Sequence, residues 1–345
     1  MQNTFHDEAK KVQWGIIGTG RIAHVFAEAL QVVNHSQLRA VASRTMDKAQ
    51  SFADEFDVPN AYRSYEALVN DPEVDVVYIA TPHHLHEENT IMALNHHKHV
   101  LCEKPMGVNL KETMHMIETA QANGLFLMEA LWSRFLPHLI KTKELINQGE
   151  IGDIQLMTVF FSFLSPNGPQ HRHFNIDLCG GSLLDIGIYN LFLSLYLLGE
   201  PKSFAAVASL NEQQVDKSIS VTFRYDNQAL SVMYASFVAE SPVVAEIHGT
   251  KGKIVLDHRW FMPGDVRVFY HDGRTNSFHF EVKKSGYELE AQEVVDCIRA
   301  QRIQSEWWSW NDSIRLMRIM DSIRKETGIF YPAHDDHSSF MTTHS

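Results

Sequence analysis

Val12-Gln-Trp-Gly-Ile-Ile-Gly18-Thr-Gly20-Arg-Ile-Ala23 decides the fold. Its first half is a short apolar run ending at Gly18, the pattern of a strand buried on both faces. Beyond it, Ile22, Val25, Phe26, Ala29 and Leu30 recur at helical spacing. The residues between, Gly18, Thr19, Gly20, Arg21, Ile22 and Ala23, fit G-x-G-x-x-G/A after a strand and at the opening of a helix, the context this pattern requires. Gly18 permits the tight turn, Gly20 lets the backbone approach a pyrophosphate, and Ala23 keeps the helix close to the strand. The helix N-terminus then turns free N–H groups toward the phosphates. Without that context the glycines would mark an ordinary turn.

Working outward, strand-like runs at 38–43, 74–80, 99–102 and 125–128 alternate with helical patterns at 47–56, 87–97 and 109–121. Thr45 is available to cap the first of these helices, and Asn109 with Glu112 resembles a capping box. Such alternation predicts a doubly wound parallel sheet over residues 10–130. The second half differs. Helical patterns at 136–148 and 181–198 surround a long strand at 153–162. Paired strands follow: 217–225 with 228–237 across Asp226-Asn227, 246–248 with 253–256, and 266–270 with 277–282. Two helices, 287–301 and 312–327, close the pattern, and the polar residues past His334 read as a loose tail. The expected architecture is α/β: a Rossmann domain at 1–130, then an α+β domain at 131–345 with a large, mostly antiparallel sheet.

Composition narrows the function. With 345 residues the chain suits two domains. A net charge of −12 disfavours nucleic acid as a partner. Cys102, Cys179 and Cys297 are odd in number and form no CxxC pair, which points away from a disulfide framework and toward a reducing compartment. The opening residues MQNTFHDEAK lack the basic-then-apolar order of a signal peptide, and the best apolar run, 191–198, is about half a membrane span. The expected location is the cytoplasm, with no membrane partner.

The end of the second strand bears on the cofactor. Enzymes using NAD usually place Asp or Glu there for the ribose 2′-hydroxyl; here stand Ser43 and Arg44. An arginine fork suits a 2′-phosphate, which favours NADP, with NAD still compatible if an acid reaches in from elsewhere.

Gly18–Ala23, Thr81-Pro82-His83-His84-Leu85-His86 and Glu103-Lys104-Pro105 together resemble the glucose-fructose oxidoreductase / inositol dehydrogenase / rhizopine catabolism (Gfo/Idh/MocA) family over nearly the whole chain. Residues 128–135, MEALWSRF, and 185–189, DIGIY, are similar to its branch of dimeric dihydrodiol dehydrogenases and NADP-dependent D-xylose dehydrogenases. The resemblance implies an NADP-dependent dehydrogenase acting on a secondary alcohol or hemiacetal hydroxyl of a sugar or cyclic diol. It implies a catalytic Lys104, Tyr189 and Asp185, and pairing of two chains through the second sheet. Many family members resemble histidine users at the place of Tyr189. The residues agree: Thr81–His86 and Glu103–Pro105 fall at carboxyl ends of strands, where such sheets bind ligands. Asp185 and Tyr189 are four apart and share a helix face. A phenol acts as a base near neutrality only when neighbouring positive charge lowers its pKa, and Lys104 is the expected source. Taken without the resemblance, a surface lysine is the better reading of Lys104 and a buried core tyrosine the better reading of Tyr189; the resemblance reverses both. Thr81, Pro82, His86, Glu103, Trp132 and Arg134 are further candidates toward the cofactor, and Arg172 and His173 toward the substrate. Trp132 and Arg134 also suit interdomain packing. The alternative is a non-catalytic NADP-binding sensor, which needs neither Lys104 nor Tyr189.

Twenty histidines raise the question of zinc. His83, His84 and His86 cluster, as do His96, His97 and His99, but neither group shows the helical i, i+4 pair with an acid that zinc hydrolases use. No metal is expected.

Overall fold

In the computed structural model, residues 11–166, 168 and 171–336 are described. The expectations for the opening residues and for the tail past 336 lie outside them. Strand β1 (Val12–Ile17) is followed by helix α1 (Arg21–Leu30), β2 (Ser36–Ala42), α2 (Met46–Phe56), β3 (Asn60–Tyr62), α3 (Tyr65–Val69), β4 (Val76–Ile79), α4 (His86–Asn95), β5 (His99–Glu103), α5 (Leu110–Asn123) and β6 (Leu127–Ala130). These strands form a parallel sheet in the order β3-β2-β1-β4-β5-β6. The order reverses between β1 and β4, which opens a crevice at the carboxyl edge where open α/β sheets bind ligands. The loops after these two strands touch: a Cβ on Gly18, whose φ is +99°, would lie 2.7 Å from the Ala80 carbonyl oxygen.

The remaining elements are α6 (Pro137–Asn147), β7 (Ile154–Ser162), α7 (Ile188–Leu198), β8 (Ser203–Leu210), β9 (Asp216–Arg224), β10 (Leu230–Ser236), β11 (Ala245–Gly249), β12 (Gly252–Leu256), β13 (Val266–Tyr270), β14 (Thr275–Phe278), α8 (Tyr287–Arg299) and α9 (Trp310–Thr327). The second sheet runs β14-β13-β12-β11-β7-β10-β9-β8. Only β7 with β10 is parallel; its other pairs are antiparallel. One face is apolar and packs on α7, where the Ser194 and Ser231 hydroxyls meet at 2.8 Å. The opposite face, with Phe160, Val232 and Tyr234, is half-buried, and Val207 is 75% exposed.

Several local expectations need correcting. Strands β3 and β8 and helix α3 were not anticipated. Thr45 precedes α2 without a side-chain capping bond. Asn109 caps α5 by accepting the Glu112 N–H, but Glu112 does not reciprocate: its carboxylate takes the Val108 N–H at 2.8 Å. The apolar stretch is also longer than it reads: Ile176–Leu198 is long and apolar enough to cross a membrane, yet 83% of its apolar window is buried inside the fold, which marks a core helix. Residues 183–187 of this stretch are π-helical and lead directly into α7.

Candidate active site

The cradle forms as the glycine pattern requires. Gly20 is the N-cap of α1 with no side chain bonded over the helix end, and a methyl on Gly20 would meet nothing within 4 Å. The first-turn amides therefore face a space that fits a dinucleotide pyrophosphate. Thr19 and Ser43 hydroxyls lie 3.1 Å apart at its floor, while Arg21 and Arg44 are exposed beside it. Ile22 packs against the core. Arg44 lies within electrostatic reach of Tyr65 and His84 and is exposed, so it is open to a 2′-phosphate.

At the edge of the same sheet Lys104 leaves β5 and reaches the second half of the chain. Its Nζ donates to the Asp185 carbonyl at 2.5 Å and to Asp185 Oδ1 at 3.2 Å, and lies 5.0 Å from the Tyr189 ring centre. Asp185 gathers three further partners. Arg172 donates to Oδ2 at 3.2 Å, His173 Nε2 is 3.5 Å from Oδ2, and His83 Nε2 is 3.7 Å from Oδ1. Burial alone would raise the Asp185 pKa; Lys104, Arg172, His83 and His173 outweigh it and hold the carboxyl well below the usual carboxylate range. Burial pushes His83 well below its ordinary value and His173 down to about 4 against the pull of Asp185, so both are neutral at pH 7.

Tyr189 is where the sequence expectation changes. Its Oη accepts the Trp132 indole N–H at 2.9 Å. Burial, then the charges of Glu103 and Asp185, push the phenol well above its ordinary value, and Trp132 opposes this only in part. Lys104 is engaged by Asp185 and sits over the ring face, and the phenol stays raised with the ammonium in that place. The tyrosine is a neutral hydroxyl whose own proton is free to donate. Around it, Trp132 stacks on Tyr287 at 4.3 Å and Phe161 on Phe261 at 4.1 Å, which gives the site an aromatic wall.

The other candidates divide. Glu103 is buried, accepts the Tyr78 hydroxyl and the Lys104 N–H, and so anchors the turn that launches Lys104. Thr81 is buried at the crevice, its hydroxyl accepting from Asn89, and Pro82 is exposed. His86 does not face the crevice: it is fully buried, with its two ring nitrogens 2.8 Å from the Pro105 and Thr81 carbonyls. It ties the two crevice loops together. Arg134 is also elsewhere, its guanidinium stacked between Tyr196 at 4.3 Å and Trp307 at 5.2 Å, so it packs instead of meeting Lys104 or Tyr189. Phe161, Phe261 and Tyr287 were not singled out from the sequence, and His83 was named there without a role toward Asp185. Only His83 had a signal, its place inside the Thr81–His86 segment.

Residues 12–131 match the oxidoreductase family with NAD-binding Rossmann fold, and residues 139–255 match the GFO/IDH/MocA C-terminal domain. The chain belongs to this family. It is an NAD(P)-dependent dehydrogenase. It is 36% identical over 332 residues to a trans-1,2-dihydrobenzene-1,2-diol dehydrogenase of Danio rerio, covering 93% of this chain and 98% of the relative. It is 34% identical to the scyllo-inositol 2-dehydrogenase (NADP(+)) IolU of Bacillus subtilis, covering 93% and 99%. Among solved structures, the aldose-aldose oxidoreductase of Caulobacter crescentus complexed with glycerol superposes with a TM-score of 0.84 at 26% identity, over 92% of this chain and 98% of that one. The family resemblance read from the glycine loop, Glu103-Lys104-Pro105 and the Asp185–Tyr189 segment is thereby established.

Proposed function

We propose that this oxidoreductase interconverts a secondary alcohol and its ketone on a cyclic diol or sugar with NADP, at the junction of Lys104, Asp185 and Tyr189. The observation that carries the reading is the Lys104 ammonium held by Asp185 against the Tyr189 ring, at the carboxyl edge of the sheet that bears the glycine cradle. Gly18, Gly20 and the start of α1 would hold the pyrophosphate, and Arg44 the 2′-phosphate. The bound nicotinamide supplies the acceptor or donor of hydride. Lys104 orients the substrate oxygen, and Asp185 fixes Lys104. Tyr189 holds a proton at Oη and delivers it to the oxygen of a ketone as that oxygen gains charge; in the oxidative direction the phenolate takes the hydroxyl proton. The aromatic wall excludes water and suits the apolar face of a ring.

Two measurements test this. NADPH formation with a panel of sugars and diols is expected to fall at least ~100-fold in Lys104→Met and in Tyr189→Phe, the scale of a lost general acid–base group. Unchanged turnover in both variants overturns the assignment. Because burial raises the Tyr189 pKa, the phenolate fraction below it grows about tenfold per pH unit. Oxidation is therefore expected to accelerate from pH 7 to 9 while ketone reduction stays flat, and identical profiles in both directions argue against Tyr189.

We assign residues 1–130 to cofactor binding and 131–345 to substrate binding, and infer a homodimer through the open face of the second sheet, in the cytoplasm. The half-buried Phe160, Val232 and Tyr234 on that face support the pairing.

A further inference from the structure

Asp185 and Tyr189 enter the site from a segment that no local pattern holds in place. Its first residues, Gly180 to Leu183, are gripped from three sides. The Gly180 and Gly181 amides donate to the Asn175 and His173 carbonyls, both at 2.9 Å. The Tyr331 hydroxyl, from the stretch after α9, donates to the Gly180 carbonyl at 2.6 Å. Asp216, the first residue of β9, accepts the Ser182 hydroxyl and the Leu183 N–H on one carboxylate oxygen, both at 2.7 Å. The fit leaves no slack: a Cβ on Gly181, whose φ is +127°, would lie 2.2 Å from Asp216 Oδ1, and one on Gly180 would lie 2.5 Å from the Arg172 carbonyl oxygen. Both Asp216 and Tyr331 are fully buried.

A helix start leaves its first amides without partners, and a carboxylate that accepts one fixes where the helix begins. Here the helix that begins is π-helical, and Asp185 lies two residues past Leu183. A shift of its origin moves the Asp185 carboxylate relative to Lys104 and Arg172, and a displacement of about 1 Å in such a site costs on the order of 100-fold in rate.

We propose that Asp216 is a positioning residue for the reaction. It seats the origin of the π-helical segment so that Asp185 meets Lys104, and Tyr331 braces the same seat from the chain's end. The proposal rests on Asp185 and Lys104 belonging to the site. Asp216 bonds to the segment, not to Lys104 or Tyr189, so its effect passes through Asp185.

The experiment compares Asp216→Ala, Asp216→Asn, Tyr331→Phe and Asp185→Asn for kcat, KM, melting temperature and NADP Kd by fluorescence titration. In Asp216→Ala, kcat per folded molecule is expected to fall ~10-fold or more while NADP Kd stays within twofold, because the cradle lies on the other sheet. Asp216→Asn is expected to recover most of that loss, since an amide oxygen still accepts the Leu183 N–H. A purely structural role would lower the melting temperature, leave kcat per folded molecule intact and show no rescue, which overturns the proposal. If Asp216→Ala does not fold, Tyr331→Phe decides: a several-fold drop in kcat at near-native melting supports the seat, and a native kcat overturns it. Asp185→Asn separates the two levels. Native kcat in Asp185→Asn removes the site reading itself, whereas a loss there with native kcat in Asp216→Ala removes the seat alone.

Discussion

One carboxylate, Asp185, organises the site by collecting Lys104, Arg172, His83 and His173. A buried ion pair is a weak source of stability, since desolvation offsets attraction, but it strongly fixes where its partners stand. Beneath it lies a second acidic layer. Glu103 is pushed up to about 7 by burial, against the pull of Lys104, and Glu290 on α8 is raised well above its ordinary value by burial and then by Glu103. Neither Glu290 oxygen has a hydrogen-bond partner among the described residues, so the neutral acid is the form that this place favours. The pH dependence follows with a definite sign. Folded Glu103 keeps its proton to about pH 7, whereas the unfolded chain releases it near the ordinary value of 4.5, so its stabilising contribution is present below that value and is lost as pH rises toward 7. Glu103→Gln, which mimics the neutral acid, is expected to flatten the fall in urea midpoint between pH 4.5 and 7. Parallel pH profiles for variant and wild type would show that Glu103 ionises normally. At this scale the sequence made Lys104, Asp185 and Tyr189 legible as a group but misassigned their contacts. Residue types and spacing do not say that the ammonium turns to Asp185 and the phenol to Trp132, because both choices depend on burial and on groups 57 to 81 residues away.

Elements with their own local grammar were readable, and those without it were not. The glycine pattern placed β1 and α1 because turn, close approach and helix start all demand specific residues at fixed offsets. Strand β3 has three residues, too few for a period. Strand β8, SFAAVASL, alternates inward Phe204, Ala206, Ala208 and Leu210 with outward Ser203, Ala205, Val207 and Ser209. In the middle of the strand, Ala205 to Ala208, both faces carry small apolar residues, which blurs the alternation. The two glycines of the cradle separate folding from binding. Gly18→Ala puts a methyl 2.7 Å from the Ala80 carbonyl at a φ of +99° and is expected to lower stability by ~1–3 kcal/mol, seen in the melting temperature. Gly20→Ala meets nothing within 4 Å and is expected to melt like wild type while binding NADP markedly more weakly, since its methyl projects where the pyrophosphate would lie. Equal NADP affinity in wild type and Gly20→Ala would remove the cradle assignment.

Across the whole molecule, the last two helices join what the sequence order separates. Leu127 on β6 donates its N–H to the Ile303 carbonyl and accepts the Trp310 indole on its own carbonyl, while Trp308 and Ser313 both donate to buried Glu129. These contacts span some 180 residues of chain and were invisible to local patterning. They brace the parallel sheet and leave the second sheet with one face covered and one open. On the open face, cross-strand neighbours Tyr234 and Phe160, and Val232 and Thr158, lie side by side, with Val207 beyond them on the outer strand. The self-interface proposed for this face would need to bury about 1,200–2,000 Å² in total, which a sheet of eight strands can supply. Facing copies related by a twofold axis would place the same residues against each other. Sedimentation at micromolar concentration is therefore expected to give twice the 39.4 kDa chain mass. Tyr234→Glu is expected to give the single-chain mass, because two copies of a charge would meet near the centre of the contact with nothing to pair them. A wild-type chain that sediments at its single mass would mean that the open face is not a self-interface, and a Tyr234→Glu variant that stays double would move the interface to another surface.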